Sequence, residues 1–159
     1  MKTNSKIKLF FALITLLSFV NLNAQNLIKA AEVTPAYLKI ICATNGITVS
    51  EMKDNFIKIN NGVDIYLDID EKNEYIILNN NYSLSDKATP AKALELVNKI
   101  NSEVVFISAR YHQKENTIEY RYYFWIKDGF SDQSLISALD IYKEAFSFSL
   151  DKDTEKLIK

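Results

Sequence analysis

One cysteine, one histidine, three glycines and two prolines in 159 residues leave little material for several kinds of chemistry. A single thiol, Cys42, cannot form an internal disulfide, and the chain is long enough to build a core without one. With one His and one Cys, a zinc site would rest on carboxylates, a weak donor set. His112 has neither a nucleophile nor an orienting group suggested beside it, with Glu115 the nearest acid, so it reads as a surface imidazole. So few glycines exclude a Gly-rich phosphate cradle. No catalytic residue, metal ligand or cofactor is therefore assigned. The acidic run Asp68, Asp70 and Glu71 departs from a calcium loop at two decisive places. Counted from Asp68, the required glycine is Asn73 and the required acid is Asn79, so the run reads as a solvated strand face.

Charge of one sign is concentrated only at the start, MKTNSKIKLFFALITLLSFVNLNAQN. Lys2, Lys6 and Lys8 precede an apolar run from Leu9 to Val20, and Asn21 to Ala24 form a small, polar exit. This is the layout of a cleavable secretory signal over residues 1–24. The run is about a dozen residues, short of the roughly 20 that span a bilayer. The mature chain, residues 25–159, is expected in the periplasm or outside the cell, as one domain without stable membrane insertion. Without the three signal lysines, 16 basic residues face 20 acidic ones, a balance of −4. That balance disfavours nucleic acid and a polybasic grip on lipid.

What the mature chain does contain is clear periodicity. Thr34-Pro35 is an N-cap followed by proline at the first helical position, and Asn45-Gly46 is a left-handed stop, giving a helix over about 35–44. Cys42 sits in it as an inert core thiol. Ile47 to about Asn60 is one long strand or two short ones broken near Lys53-Asp54. Asn61-Gly62 suits a two-residue hairpin turn into Val63–Ile69, and Tyr75–Leu78 completes a meander. Tyr82 to Lys87 is a polar connection. Thr89-Pro90 then starts a second helix, to about 101, with Ala93, Leu94, Val97 and Ile100 on its apolar face. A strand is expected from Glu103 to Gln113.

The densest patterning lies between Asn116 and Leu150. On the strand Thr117–Lys127, Ile118, Tyr120, Tyr122, Phe124 and Ile126 share a core face. Arg121, Tyr123, Trp125 and Lys127 share the other face with Glu119. Aromatics alternating with charge suit a binding surface, because Trp, Tyr and Arg dominate hot spots; lysine and arginine stems over rings would give the same pattern on an ordinary exposed face. Asp128-Gly129 turns the chain and Ser131 caps a final helix. Leu135, Leu139, Tyr142 and Phe146 form its stripe, with Ala138, Ile141, Ala145 and Phe148 alongside. The charged tail from Asp151 is expected to fray.

The order helix, three strands, helix, two strands, helix describes an α+β domain with an antiparallel sheet packed against helices. Within it, LELVNKINSEVVFISARYHQKENTIEYRYYFWIKDGFSDQSLISALDIYKEAFSFSL (Leu94–Leu150) resembles the YbjN family of bacterial sensory-transduction regulators. The likeness rests on the Val97-Asn98…Asn101 helix end, two paired strands, and the Gly129-Phe130-Ser131 turn into a Leu-rich helix. Val33 to Ile47 resembles that family's first helix and its glycine stop. Ile100 stands where the family usually has an aromatic residue. The resemblance implies a type III secretion chaperone-like fold that dimerises and binds polypeptides without catalysis. The expected function is an exported, non-catalytic protein-binding or chaperone-like module, a regulatory homodimer with a candidate surface of Arg121, Tyr123, Trp125 and Lys127. The alternatives are a small periplasmic hydrolase built on scattered carboxylates with His112, and a carbohydrate-binding module stacking sugars on Tyr123 and Trp125.

Overall fold

The computed structural model describes residues 27–159; the expected signal segment lies outside the described residues. Three helices are α1 (Pro35–Thr44), α2 (Pro90–Glu103) and α3 (Asp132–Asp151). The strands are β1 (Thr48–Met52), β2 (Phe56–Asn60), β3 (Asp64–Ile69), β4 (Tyr75–Ser83), β5 (Ser108–His112) and β6 (Thr117–Trp125). They form one antiparallel sheet in the order β1-β2-β3-β4-β6-β5. The segment readable as one strand or two is thus two. Among the described residues no helix is long and apolar enough to cross a membrane.

The caps work as their chemistry dictates. The Thr34 and Thr89 hydroxyls accept from the backbone N–H groups of Tyr37 and Lys92, with Pro35 and Pro90 following. Ser131 and Ser134 accept reciprocally from each other's N–H at the start of α3. The β2–β3 turn sits at Asn61-Gly62 but has three residues, because Asn60 pairs with Asp64. Only Gly62 needs the left-handed region there, at φ +81°.

The helices cover one face of the sheet. Ile57, Ile59, Ile65, Leu67, Ile76, Leu78, Ile118 and Tyr120 point into it and are fully buried. Removing each such aliphatic side chain from water is worth roughly 1.5–3 kcal/mol. Phe146 of α3 lies at the centre of an aromatic cluster, with ring centroids 5.2 Å from Tyr82, 5.0 Å from Tyr120 and 6.4 Å from Tyr142. The Tyr142 hydroxyl donates toward Asn80 Oδ1 (2.9 Å) and the Tyr120 carbonyl (3.2 Å), tying α3 to β4 and β6. Burial pushes the Cys42 thiol up to about 11, so it is a core residue with little thiolate.

Four local expectations change. Strand β4 runs on to Ser83, through an asparagine triplet that reads as a strand end and into the expected connection. It pairs with β6 at nine positions, from Tyr75 opposite Trp125 to Ser83 opposite Thr117, so tertiary pairing overrides weak strand propensity. On α2 the buried residue is Leu96, and Leu94 faces water. Strand β5 begins only at Ser108, because Phe106 adopts φ +64° and breaks the extended run from Val104 to Ile107. A bulky residue there costs roughly 1–2 kcal/mol. The Asn101 amide then brackets β5, accepting from Ala109 N–H (2.7 Å) and donating to the Ala109 carbonyl (3.0 Å). That blunts an edge strand. Ile100 beside it is fully buried, so an aliphatic side chain fills the place of the usual aromatic. Finally, the tail does not fray. Leu157 is buried, its carbonyl accepts from Ser85 N–H (2.7 Å), and Asp153 accepts from the N–H groups of Leu157 and Ile158.

Candidate functional site

Alternation places every second residue of the sheet on the face away from the helices. On that face, Phe56 is opposite Asp68, Asp68 opposite Ile77, and Ile77 opposite Tyr123. The next row runs Lys58, Tyr66, Asn79, Arg121, Ser108, and Tyr75 lies beside Trp125. The face has an engaged polar middle and an exposed aromatic end.

The middle is built on Glu119, buried although charged. One carboxylate oxygen meets His112 Nε2 at 2.8 Å and the other Arg121 Nη2 at 2.7 Å. His112 therefore has Glu119 as its partner rather than standing as a lone surface imidazole. The cross-strand register explains it: His112 is opposite Thr117 and Arg110 opposite Glu119, so the three side chains converge from two strands. The bond to Glu119 holds the Arg121 guanidinium above its ordinary pKa, and Arg121 Nη1 donates to the Tyr123 hydroxyl at 3.4 Å. Asp68, which accepts from Asn79 Nδ2, is raised by burial, against the opposing pull of that bond and of Arg121. These carboxylates are occupied by structural partners. The sequence places Glu119 on the same strand face as the candidate surface and brings in Asp68 and Asn79 only through the rejected calcium run; the cross-strand register is what groups them with Arg121.

The end of the face is different. Tyr123 and Trp125 remain 50 % and 53 % exposed. Tyr123 packs edge-on against Tyr75 at 5.4 Å. Trp125 Nε1 donates to Asp128 at 3.2 Å, and Lys127 Nζ lies 5.9 Å from the indole centroid while pairing with Glu74 at 2.7 Å. Both rings are thus oriented by neighbours yet leave half their surface to water, the condition in which an aromatic anchor needs little ordering on binding. All four expected surface residues lie at this end, with Arg121 linking it to the polar middle. Among the described residues no group of three or more His, Cys, Asp or Glu is arranged to hold a metal ion. Asp70, from the rejected calcium run, instead accepts the backbone N–H groups of Lys72 and Glu74 within its turn.

The sequence from residue 34 to residue 151 matches the family model YbjN, described as "Putative bacterial sensory transduction regulator". The chain belongs to the YbjN family. Among solved structures, a YbjN crystal structure, titled a transcription regulator from E. coli with the qualifier "putative", superimposes with a TM-score of 0.66 at 13% identity. It covers 78% of this chain and 94% of that one. An uncharacterized protein from Methanothermobacter thermautotrophicus gives a TM-score of 0.58 at 16% identity, over 77% of this chain and 97% of that one. At such identities the likeness is one of fold. A search of curated proteins finds no match. The YbjN match spans all three helices and all six strands, so the open face belongs to the family's own domain.

Proposed function

We propose that the mature chain is an exported, non-catalytic regulatory module that binds a polypeptide through the open sheet face, in a chaperone-like manner and as a homodimer. One observation carries the reading: a sheet face left uncovered by helices presents Tyr123 and Trp125 half-exposed between fixed charges of both signs. The family's regulatory description agrees with binding, and the engagement of Glu119 and Asp68 by neighbours argues against free acid and base groups. Interleaved carboxylates and cations on this face, with the balance of −4, oppose a phosphate backbone. Export is supported by the Lys-rich start, the short apolar run and the exit at Ala24. The homodimer follows from the chaperone-like resemblance.

The test is affinity capture from the envelope fraction of the exporting cell, comparing the wild-type mature chain with the Tyr123→Ser, Trp125→Ser double variant. The wild type should retain a specific polypeptide that the variant loses while keeping its melting temperature. Equal retention by both would remove the face from consideration. Light scattering should give twice the chain mass; a monomer at every concentration would refute the dimer.

A further inference from the structure

The helical side of the molecule carries a second, unrelated exposed surface. Val105 is 71 % and Phe106 62 % exposed in the α2–β5 connection, and Phe148 is 60 % and Ile141 37 % exposed on α3. These four residues come from two separate elements and line one groove of about 330 Å³, whose walls include the buried Val104 and Ala145. Ile141 and Phe148 are seven residues apart, two helical turns, so they fall on one stripe. Phe106 is exposed from a left-handed backbone position that bulky residues rarely occupy. An apolar ring on a strained backbone is the kind of feature that packing alone does not explain.

The charge around the groove says what could cover it. Asp140, Glu144 and Asp151 run along one flank of the Ile141–Phe148 stripe, all exposed. Among the described residues none of the three is in an ion pair. The cation on the groove, Lys152, is already neutralised by Glu103 at 2.8 Å. The groove is therefore apolar at its centre and acidic along its margin. We propose that it docks an amphipathic polypeptide segment whose apolar face is flanked by lysines or arginines. A second copy packed antiparallel along α3 would oppose acidic flank to acidic flank, and an anionic membrane would meet the same repulsion. A basic amphipathic helix satisfies both the groove and its margin.

The probe is a labelled synthetic helix of leucines and lysines with a single apolar face, titrated by fluorescence anisotropy into residues 25–159. A control peptide replaces every lysine by glutamate. The Leu/Lys peptide should bind at least ten-fold more tightly than the Leu/Glu peptide. Phe148→Ser, at an exposed position, should weaken it at least ten-fold with no loss of thermal stability. Reversing the margin with Asp140→Lys, Glu144→Lys and Asp151→Lys should invert the peptide preference. The Tyr123→Ser, Trp125→Ser variant should bind the peptide like the wild type, which separates this groove from the sheet face. Equal affinity for both peptides, unchanged binding by Phe148→Ser, or loss in the sheet-face variant would each overturn the proposal. So would self-association abolished by Phe148→Ser, which would assign the groove to a second copy. Binding to phosphatidylglycerol vesicles in preference to the Leu/Lys peptide would assign it to a membrane.

Discussion

Strand β6 has two faces of similar aromatic content and opposite fate. Ile118 and Tyr120 are sealed beneath α3, whereas Tyr123 and Trp125, further along the same strand, stand half in water. On the covered side an aromatic ring is surrounded by rings and its removal leaves a hole. On the open side the rings are held by edge contacts and charged stems, and the groups beneath them are ion pairs. Equal hydrophobicity thus does stabilising work on one face and leaves binding capacity on the other. The difference lies in what packs above the strand.

The comparison can be broken or sharpened by substitution. Phe146→Ala, in the covered cluster, should cost about 3–5 kcal/mol, read by urea denaturation. Next comes Glu119→Ala in the polar middle. It strips both His112 and Arg121 of their partner and should cost about 1–3 kcal/mol, with weak salt dependence. The Tyr123→Ser, Trp125→Ser pair should change stability by no more than about 1 kcal/mol. A cost rivalling that of Phe146→Ala would show that the open face is not open. The smallest effect is a pH dependence at Asp68. Burial raises its folded pKa above the unfolded value, so the folded state binds the proton more tightly there, and stability is lost as pH rises through the folded pKa. Asp68→Asn should therefore raise the melting temperature slightly at pH 7. That gain should shrink to nothing once the pH falls below the unfolded carboxylate pKa; a gain persisting at pH 3 would place its origin elsewhere.

The second exposed surface sharpens the contrast from the other side. The wide apolar face of α3 calls for a broad packing partner, most simply the sheet, yet Ile141 and Phe148 remain uncovered. The stripe of Leu135, Leu139, Tyr142 and Phe146 fills the available contact, and the adjoining residues overhang it. Periodicity counts apolar positions around a helix, whereas the width of the contact is set by what lies beneath.

The same distinction runs through the rest of the chain. Caps and alternation are local, so Thr34, Thr89 and Ser131 start helices where expected and β6 presents the expected residues on each face as far as Trp125, two residues short of the expected end. The errors fall where distant partners decide. Asn79, Asn80 and Asn81 stay in a central strand because β6 pairs with them. Leu157 and Ile158 are docked because β4 leads into Leu84 and Ser85 beside them. Val104–Ile107 has strong strand propensity but leaves the sheet at Phe106.

From the residues alone come the single domain, the class of fold, the lack of an assignable catalytic set and the location of Arg121, Tyr123 and Trp125 on one strand face, whereas Lys127, expected on the same strand, lies in the turn that follows it. A period of two follows from the strand backbone itself, and those side chains share a side wherever the strand is placed. Only the tertiary structure decided that this side stays uncovered, that Glu119 joins His112 to Arg121, and that Val105 and Phe106 meet Ile141 and Phe148 in an acidic-rimmed groove. Each depends on contacts between residues far apart in the chain, which local spacing does not encode.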